Sequence, residues 1–351
     1  MTRTINPKLF TRFCVNFRYA VRLNKPLLTA RLIKTYLAVL LFKKRPLRYV
    51  DFAIGYDCNL KCEHCFATAL RNDSRRRLTL SEHKRVVKEA MRLGAVNFSF
   101  QGGEPILYTE LHDYIKNTYP SQNLISVTTN ATLLNERNIR ELKRCGVDIL
   151  TISLDSAIAE EHDGFRGVQG TFDKVMNSVK LALKNGMNVT LGGVASHKNI
   201  RSKGLIDLIE LAHRLNVIIF LALAVPIGRW ADYREILLTD EDREYLYALV
   251  REYPLLRTDF EANYVHYGCG AVKEILYLTP YGDVLACPFI HVSLGNISEE
   301  SLESIREKAL RDPYFGNYHK LCLAAEDAGF MEKYSGSFYG RDGKARAFGE
   351  S

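Results

Sequence analysis

The chain has 351 residues, of which 47% are hydrophobic and 25% charged, a globular balance that excludes a disordered or fibrous protein. The formal net charge of +8 is unevenly spread: residues 1–50 carry 12 Lys and Arg and no Asp or Glu, so the other 301 residues carry 36 basic against 40 acidic side chains, a net of −4. That excludes a basic nucleic-acid groove across the body and leaves an N-terminal arm suited to an anionic surface.

Within residues 1–49, Pro26 and Pro46 bracket a predicted helix, since proline suits a helix start and resists its interior. Leu27, Leu28, Leu32, Ile33, Tyr36, Leu37, Leu40 and Leu41 give it a broad apolar face, bordered by Arg31, Lys34, Lys43, Lys44 and Arg45. Two readings of this arm stand side by side: peripheral contact with an anionic membrane, or a helix packed on the body with its basic residues solvated. From Tyr49 onward strands alternate with helices. Strands are expected at 50–56, 96–100, 124–128, 148–154, 188–194 and 217–222; helices at 81–93, 111–117, 135–144, 172–185 and 204–215. This α/β pattern implies right-handed crossovers and a parallel sheet. Six units over 50–225 predict a partial (β/α)6 barrel, because a full eight-unit barrel takes about 250 residues.

After Pro226 the pattern changes. A helix is expected over 239–252, then a β-hairpin of 274–279 and 284–286 about a Pro280-Tyr281-Gly282-Asp283 turn. The expected division is therefore a basic arm (1–49), a barrel core (50–225), a small C-terminal unit (226–322) and a flexible tail (323–351). No run of 18 apolar residues and no secretory signal is visible, so the expected location is cytoplasmic, with at most peripheral membrane contact.

Eight cysteines are too few for a disulfide scaffold, but six of them are grouped. Cys58, Cys62 and Cys65 lie on one short loop after the first predicted strand. Three thiolates so placed can hold three irons of a cubane iron–sulfur cluster and leave the fourth iron open. The C-x3-C-x2-C spacing is unusual for zinc, even with His64 as a fourth ligand. Gln101-Gly102-Gly103-Glu104-Pro105 follows the second strand; its glycines permit close backbone approach and its carboxylate suits an ammonium group.

The cysteine loop resembles that of the radical SAM enzymes, and Gly102-Gly103-Glu104-Pro105 is similar to their GGEP motif. The resemblance implies that Cys58, Cys62 and Cys65 hold a [4Fe-4S] cluster whose open iron binds S-adenosylmethionine (SAM). One electron then splits SAM into methionine and a 5′-deoxyadenosyl radical that abstracts hydrogen from a substrate. It implies that Gly102, Gly103, Glu104 and Pro105 hold the SAM amino group. Thr129 and Asn130 at the third strand end, and Ser153 and Asp155 at the fourth, look like the family's cofactor-binding segments, with strand-end capping as the alternative. Arg166 sits where many relatives carry an arginine, with a solvated charge as the alternative. A flavodoxin or ferredoxin is the implied electron donor.

Cys269, twelve residues, Gly282, four residues, Cys287 is similar to the opening of the SPASM and twitch extensions of that family. With Cys322 as a third ligand, it implies one auxiliary cluster whose fourth position is open or non-cysteine; His266, His291 and His319 are candidates. Inert buried cysteines are the alternative. Cys145 is expected in the core, and Cys14 in the arm has no assigned role. The implied activity is hydrogen abstraction from a peptide, sugar or aminocyclitol, or lipid-linked small-molecule substrate, the auxiliary cluster aiding oxidation or binding. A radical SAM epimerase, with a cysteine as hydrogen donor, and a non-catalytic electron carrier or redox sensor are the alternatives.

Overall fold

The computed structural model describes residues 11, 14, 15, 17–19, 22, 24–260, 263, 268–334 and 338. Strands β1 (Tyr49–Ala53), β2 (Asn97–Gln101), β3 (Leu124–Thr129), β4 (Ile149–Ser153), β5 (Asn188–Ala195) and β6 (Ile218–Leu223) lie side by side in chain order, each pair parallel. Crossover helices join them and cover the sheet, so the strands are near-continuous apolar runs; Phe98, Phe100, Ile125, Val127, Leu150 and Ile152 are fully buried. The result is the expected partial barrel.

Local chemistry sets the helix starts. After α1 (Pro26–Phe42), helix α2 (Leu80–Arg92) opens with a reciprocal cap: the Thr79 hydroxyl accepts from the Glu82 amide, and the Glu82 carboxylate accepts from the Thr79 amide. Helix α3 (Leu111–Asn117) follows; α4 (Glu136–Cys145) repeats the capping device with Asn135 and Asn138. Between β4 and β5 a short helix α5 (Ala159–Arg166) precedes the expected α6 (Thr171–Lys184). Its sequence has little apolar periodicity, but Glu160 and Glu161 occupy its first turn, where the helix dipole favours acids. Helix α7 (Lys203–Arg214) completes the six units.

The sheet does not stop at six strands. Past α8 (Asp240–Glu252), β7 (Leu256–Thr258) adds parallel to β6. The expected hairpin is β8 (Ile275–Leu278) and β9 (Asp283–Cys287), followed by β10 (Ile290–Asn296), which pairs with β9. This hairpin is continuous with the barrel, because β8 pairs parallel with β1 from Tyr49 opposite Ile275 to Phe52 opposite Leu278. Leu276, Tyr277 and Leu278 are fully buried, and a free hairpin could not bury them. Ten strands thus run in the order β10-β9-β8-β1-β2-β3-β4-β5-β6-β7, with the run from β8 to β7 parallel throughout.

Helices α9 (Leu302–Leu310), α10 (Pro313–Gly316) and α11 (Ala328–Tyr334) follow. The last falls where a flexible tail is expected from residue 323. Its Phe330 and Tyr334 are buried against Tyr314 and Phe315, which orders the chain as far as Tyr334. Beyond it, only Phe338 is described.

The N-terminal ends of the strands are closed by the arm. Lys25 Nζ donates to the Asn123 and Gly146 carbonyls and pairs with Asp148 at 2.5 Å. Arg31 donates to the Gln122 and Ala95 carbonyls, Arg18 to the Asn216 carbonyl and Tyr19 Oη to the Val189 carbonyl. All these acceptors lie at the starts of β2 to β6. The opposite, C-terminal ends remain for the site.

Candidate active site

The predicted cofactor-binding residues converge at the C-terminal strand ends. The cysteine loop leaves β1 and is tied down by its neighbours. The Gly103 amide donates to the Gly55 carbonyl at 2.9 Å and the Glu104 amide to the Asp57 carbonyl at 2.8 Å. Glycine is required twice here. A Cβ on Gly102, whose φ is +131°, would stand 2.4 Å from the Gly55 oxygen, and one on Gly103 would stand 2.0 Å from the Asp57 oxygen. Pro105 then opens a 3-10 turn.

Glu104 is fully buried. Its Oε1 accepts from Thr129 Oγ1 at 2.7 Å and from the Ile106 amide at 3.1 Å; its Oε2 accepts from the Asn130 amide at 2.7 Å. Burial pushes its carboxyl up, against these three hydrogen bonds. Asn130 carries the network on: its Nδ2 donates to Asn59 Oδ1 at 2.9 Å and contacts Cys58 Sγ at 3.8 Å. One carboxylate thus joins the ends of β2 and β3 to the first cysteine.

A second network reaches the second cysteine. Arg166, at the end of α5, is buried; its Nε pairs with Asp155 Oδ2 at 2.6 Å and its Nη1 lies 3.6 Å from Cys62 Sγ. Burial pulls the guanidinium pKa down, but Asp155 and the Cys62 thiol together outweigh it and hold it above its ordinary value. Asp155 Oδ1 is buried without a hydrogen-bond partner, an acceptor left over at the cysteine loop. Ser153 ends β4 opposite Gly192 of β5 and enters neither network.

Apart from His64, a zinc-ligand candidate by sequence, several groups at the site carry no sequence signal of their own. The buried His162 accepts from the Asp155 amide through Nδ1 at 3.3 Å. His64 stacks on Phe165 with ring centroids 4.5 Å apart, and Trp230 closes against both. Burial pushes His64 down to about 4, with Arg166 adding to the shift, and its Nδ1 is buried without a hydrogen-bond partner. Arg229 Nη1 donates to the Lys61 carbonyl, and the Arg229 amide to the Cys65 carbonyl.

The second cysteine group converges from three distant segments. Cys269 pairs with His319 in an isolated bridge, Cys287 ends β9, and Cys322 follows on the loop before α11. Burial pushes all three thiols up, and Cys287 and Cys322 are pushed up further by Cys269. Lys273 lies among them, its ammonium pulled down to about 8 by burial against the pull of Cys269. Of the candidate histidines, His291 Nε2 is engaged by the Pro288 carbonyl at 2.9 Å. His319 stacks on Tyr314 and its Nε2 is buried without a partner. His266 lies outside the described residues.

Both cysteine sets fit clusters. Nearby backbone amides favour the thiolate form: Leu60 for Cys58, Ala67 and Thr68 for Cys65, Ala271 and Leu323 for Cys269, and Phe289 and Ile290 for Cys287. Amides directed at sulfur stabilise thiolate and tune iron–sulfur centres. Among the described residues no group of three His, Cys, Asp or Glu converges on a single ion; in a cubane each thiolate takes its own iron, so its ligands stand further apart.

A half-barrel with a three-cysteine loop after its first strand and a glycine-glutamate motif after its second defines a radical SAM enzyme. The chain belongs to that superfamily: the Radical SAM superfamily model matches residues 52–218, and a SPASM iron–sulfur cluster-binding domain matches residues 269–324. The cofactors are accordingly a [4Fe-4S] cluster with SAM and auxiliary iron–sulfur chemistry. The AdoMet-dependent heme synthase of Methanosarcina barkeri is 24% identical over 299 residues, 76% of this chain and 85% of that protein. The subtilosin biosynthesis protein AlbA of Bacillus subtilis is 25% identical over 277 residues, 73% of this chain and 59% of that protein. The fold matches Streptococcus suis SuiB bound to its precursor peptide SuiA with a TM-score of 0.61 at 19% identity, covering 84% of this chain and 72% of SuiB.

Proposed function

We propose that this enzyme uses the cluster held by Cys58, Cys62 and Cys65 to cleave SAM reductively and takes hydrogen from a carbon of a peptide, sugar or lipid-intermediate substrate at the open strand ends. The cluster and SAM supply a primary carbon radical; the chain supplies placement. The Gly102–Gly103 backbone would receive the SAM ammonium, with the Glu104 carboxylate behind it holding Thr129 and Asn130 in register. Asp155 offers its unpaired Oδ1 as an acceptor, and Arg166 fixes Asp155 while giving a positive contact to Cys62. Cys269, Cys287 and Cys322 would hold one auxiliary cluster, which when bound would supply an electron acceptor or a binding point for the substrate. A flavodoxin or ferredoxin supplies the starting electron. The observation that carries this reading is that both buried networks end on cysteines of the first loop.

A cysteine-donor epimerase gains no support. Cys145 ends α4 beside Gly146, whose carbonyl Lys25 binds, and Cys14 neighbours Arg18 and Asn216. Both lie at the strand starts, opposite the site.

The test is anaerobic iron and sulfide counting with EPR, and a 5′-deoxyadenosine assay, on wild type and on a Cys58→Ala/Cys62→Ala/Cys65→Ala variant. Wild type should hold about eight irons and the variant about four, with SAM cleaved only by wild type. No 5′-deoxyadenosine from reduced wild type overturns the reading; about four irons in wild type and none in the variant removes the auxiliary cluster.

A further inference from the structure

The arm does two different things with its two sides. Toward the barrel, α1 buries Leu28 and Val39, with Leu32 and Thr35 half-buried on the same stripe, and Lys25 and Arg31 bind strand-start carbonyls. Away from the barrel, Leu27, Ile33, Leu37, Leu40, Leu41 and Phe42 are exposed, from 48% for Leu37 to 70% for Phe42. A folded protein seldom leaves six large apolar side chains of one helix in water. The sequence reading of a helix simply packed on the body therefore accounts for one side only.

Charge identifies what meets the other side. Lys34, Lys43 and Lys44 are exposed at the edge and end of this apolar stripe, and residues 1–50 contain no acid at all. A second copy of the chain would bring like charges together across an apolar seam. An anionic bilayer takes the apolar side chains at its acyl boundary and the ammonium groups at its headgroups. The surface is a convex helix, which suits a deformable layer better than a rigid groove. At 17 residues α1 is too short and too basic to cross a membrane, and no described helix is long and apolar enough to do so. We infer that α1 lies flat on an anionic lipid surface, with Ile33, Leu37, Leu40 and Leu41 entering the acyl boundary and with Lys34, Lys43 and Lys44 at the headgroups.

The fold gives this docking an orientation. Helix α1 crosses the strand starts, whereas the cysteine loops open at the strand ends. The enzyme is held with its site facing away from the bilayer, so a lipid-linked substrate must leave the membrane plane to react. The docking face touches neither cysteine set and stands whether or not the proposed reaction does.

The experiment is flotation of the full-length, cluster-loaded protein with phosphatidylcholine vesicles, with and without phosphatidylglycerol. Wild type should float only with phosphatidylglycerol, and added salt should release it. Each basic residue near such a surface contributes about fivefold in partitioning (about 1 kcal/mol), so Lys34→Gln/Lys43→Gln/Lys44→Gln should bind about a hundredfold more weakly. Leu37→Glu/Leu40→Glu/Leu41→Glu should not float. Both variants should keep wild-type iron content and melting temperature, because the changed side chains are exposed. Failure of wild type to float with either vesicle overturns the inference. So does equal binding to both vesicle types, and so does a dimer in light scattering that the leucine variant dissolves while vesicle binding is absent.

Discussion

Replacing Arg166 with Met tests the network that joins α5 to the cysteine loop. Arg166 and Asp155 are a buried pair, 7% and 5% exposed, with Nε and Oδ2 2.6 Å apart. Asp155 Oδ1 already has no partner, so Arg166→Met leaves a buried carboxylate without a charged partner: the His162 Nδ1 at 3.5 Å already accepts from the Asp155 amide. Breaking a buried pair from one side costs about 3–5 kcal/mol. With an unfolding entropy of about 2.1 cal/mol/K per residue, 351 residues give roughly 0.7 kcal/mol/K, so the melting temperature should fall by about 4–7 °C. Adding Asp155→Asn removes the stranded charge and should restore more than half of the loss, which an unrelated defect would not allow. The assay is anaerobic calorimetry of the two single variants, the double variant and wild type. A fall below about 1 °C for Arg166→Met, or a double variant no more stable than the single one, refutes the argument that charge pairing holds this corner.

Four further expectations follow from the same geometry. Glu104→Gln puts an amide N–H₂ against one of the donors that Glu104 now accepts from; losing a charge-assisted bond of about 1.5–3 kcal/mol should weaken SAM binding by about 10- to 100-fold in anaerobic equilibrium dialysis. Burial pushes Asp51 up to about 7, against the hydrogen bond from Tyr49. Because the native state favours the neutral acid, this group's contribution falls as pH rises from about 4 to about 7, by up to about 4 kcal/mol; Asp51→Asn should match wild type near pH 4 and exceed it near pH 7 in melting temperature. His83 is buried among Phe52, Phe100 and Tyr114 with neither ring nitrogen bonded, and burial pushes it down to about 3. The unfolded chain therefore takes up a proton that the native state refuses, stability is lost as pH falls from about 6.5 toward about 3, and His83→Phe should remove about 1.4 kcal/mol of that loss per pH unit, read from melting temperatures of the two proteins across that range. Gly103→Ala, which would drive a methyl into the Asp57 carbonyl, should displace the cysteine loop and lower the iron content of the first cluster while leaving the second intact by EPR.

What the sequence discloses and what it conceals divide along physical lines. The six βα units are legible because each buried strand is a short apolar run and each helix has a 3.6-residue stripe or a cap, as at Thr79 and Asn135. The first cysteine loop and Gly102-Gly103-Glu104-Pro105 are legible because their chemistry is packed into adjacent residues. The partners of that chemistry are not. Glu104 meets Asn130 only after the ends of β2 and β3 are brought together, and the local cluster of Asp155, His162 and Arg166 reaches Cys62 only once the β4–α5 segment folds against the loop after β1, and nothing in the local pattern around His162 or Arg229 announces a place at the cysteine loop. The strand β8 shows the same limit at the level of the fold. Its residues announce a hairpin, but its pairing with β1 depends on the free edge of a strand more than two hundred residues earlier, as far apart as the 221 positions between Tyr56 and Tyr277. That pairing matters for function: β1 delivers Cys58, Cys62 and Cys65, and the sheet that continues through β8 and β9 delivers Cys287. The strand that leads into the first cysteine loop and the strand that ends on Cys287 therefore belong to one hydrogen-bonded sheet, with the Tyr56 and Tyr277 hydroxyls 3.1 Å apart.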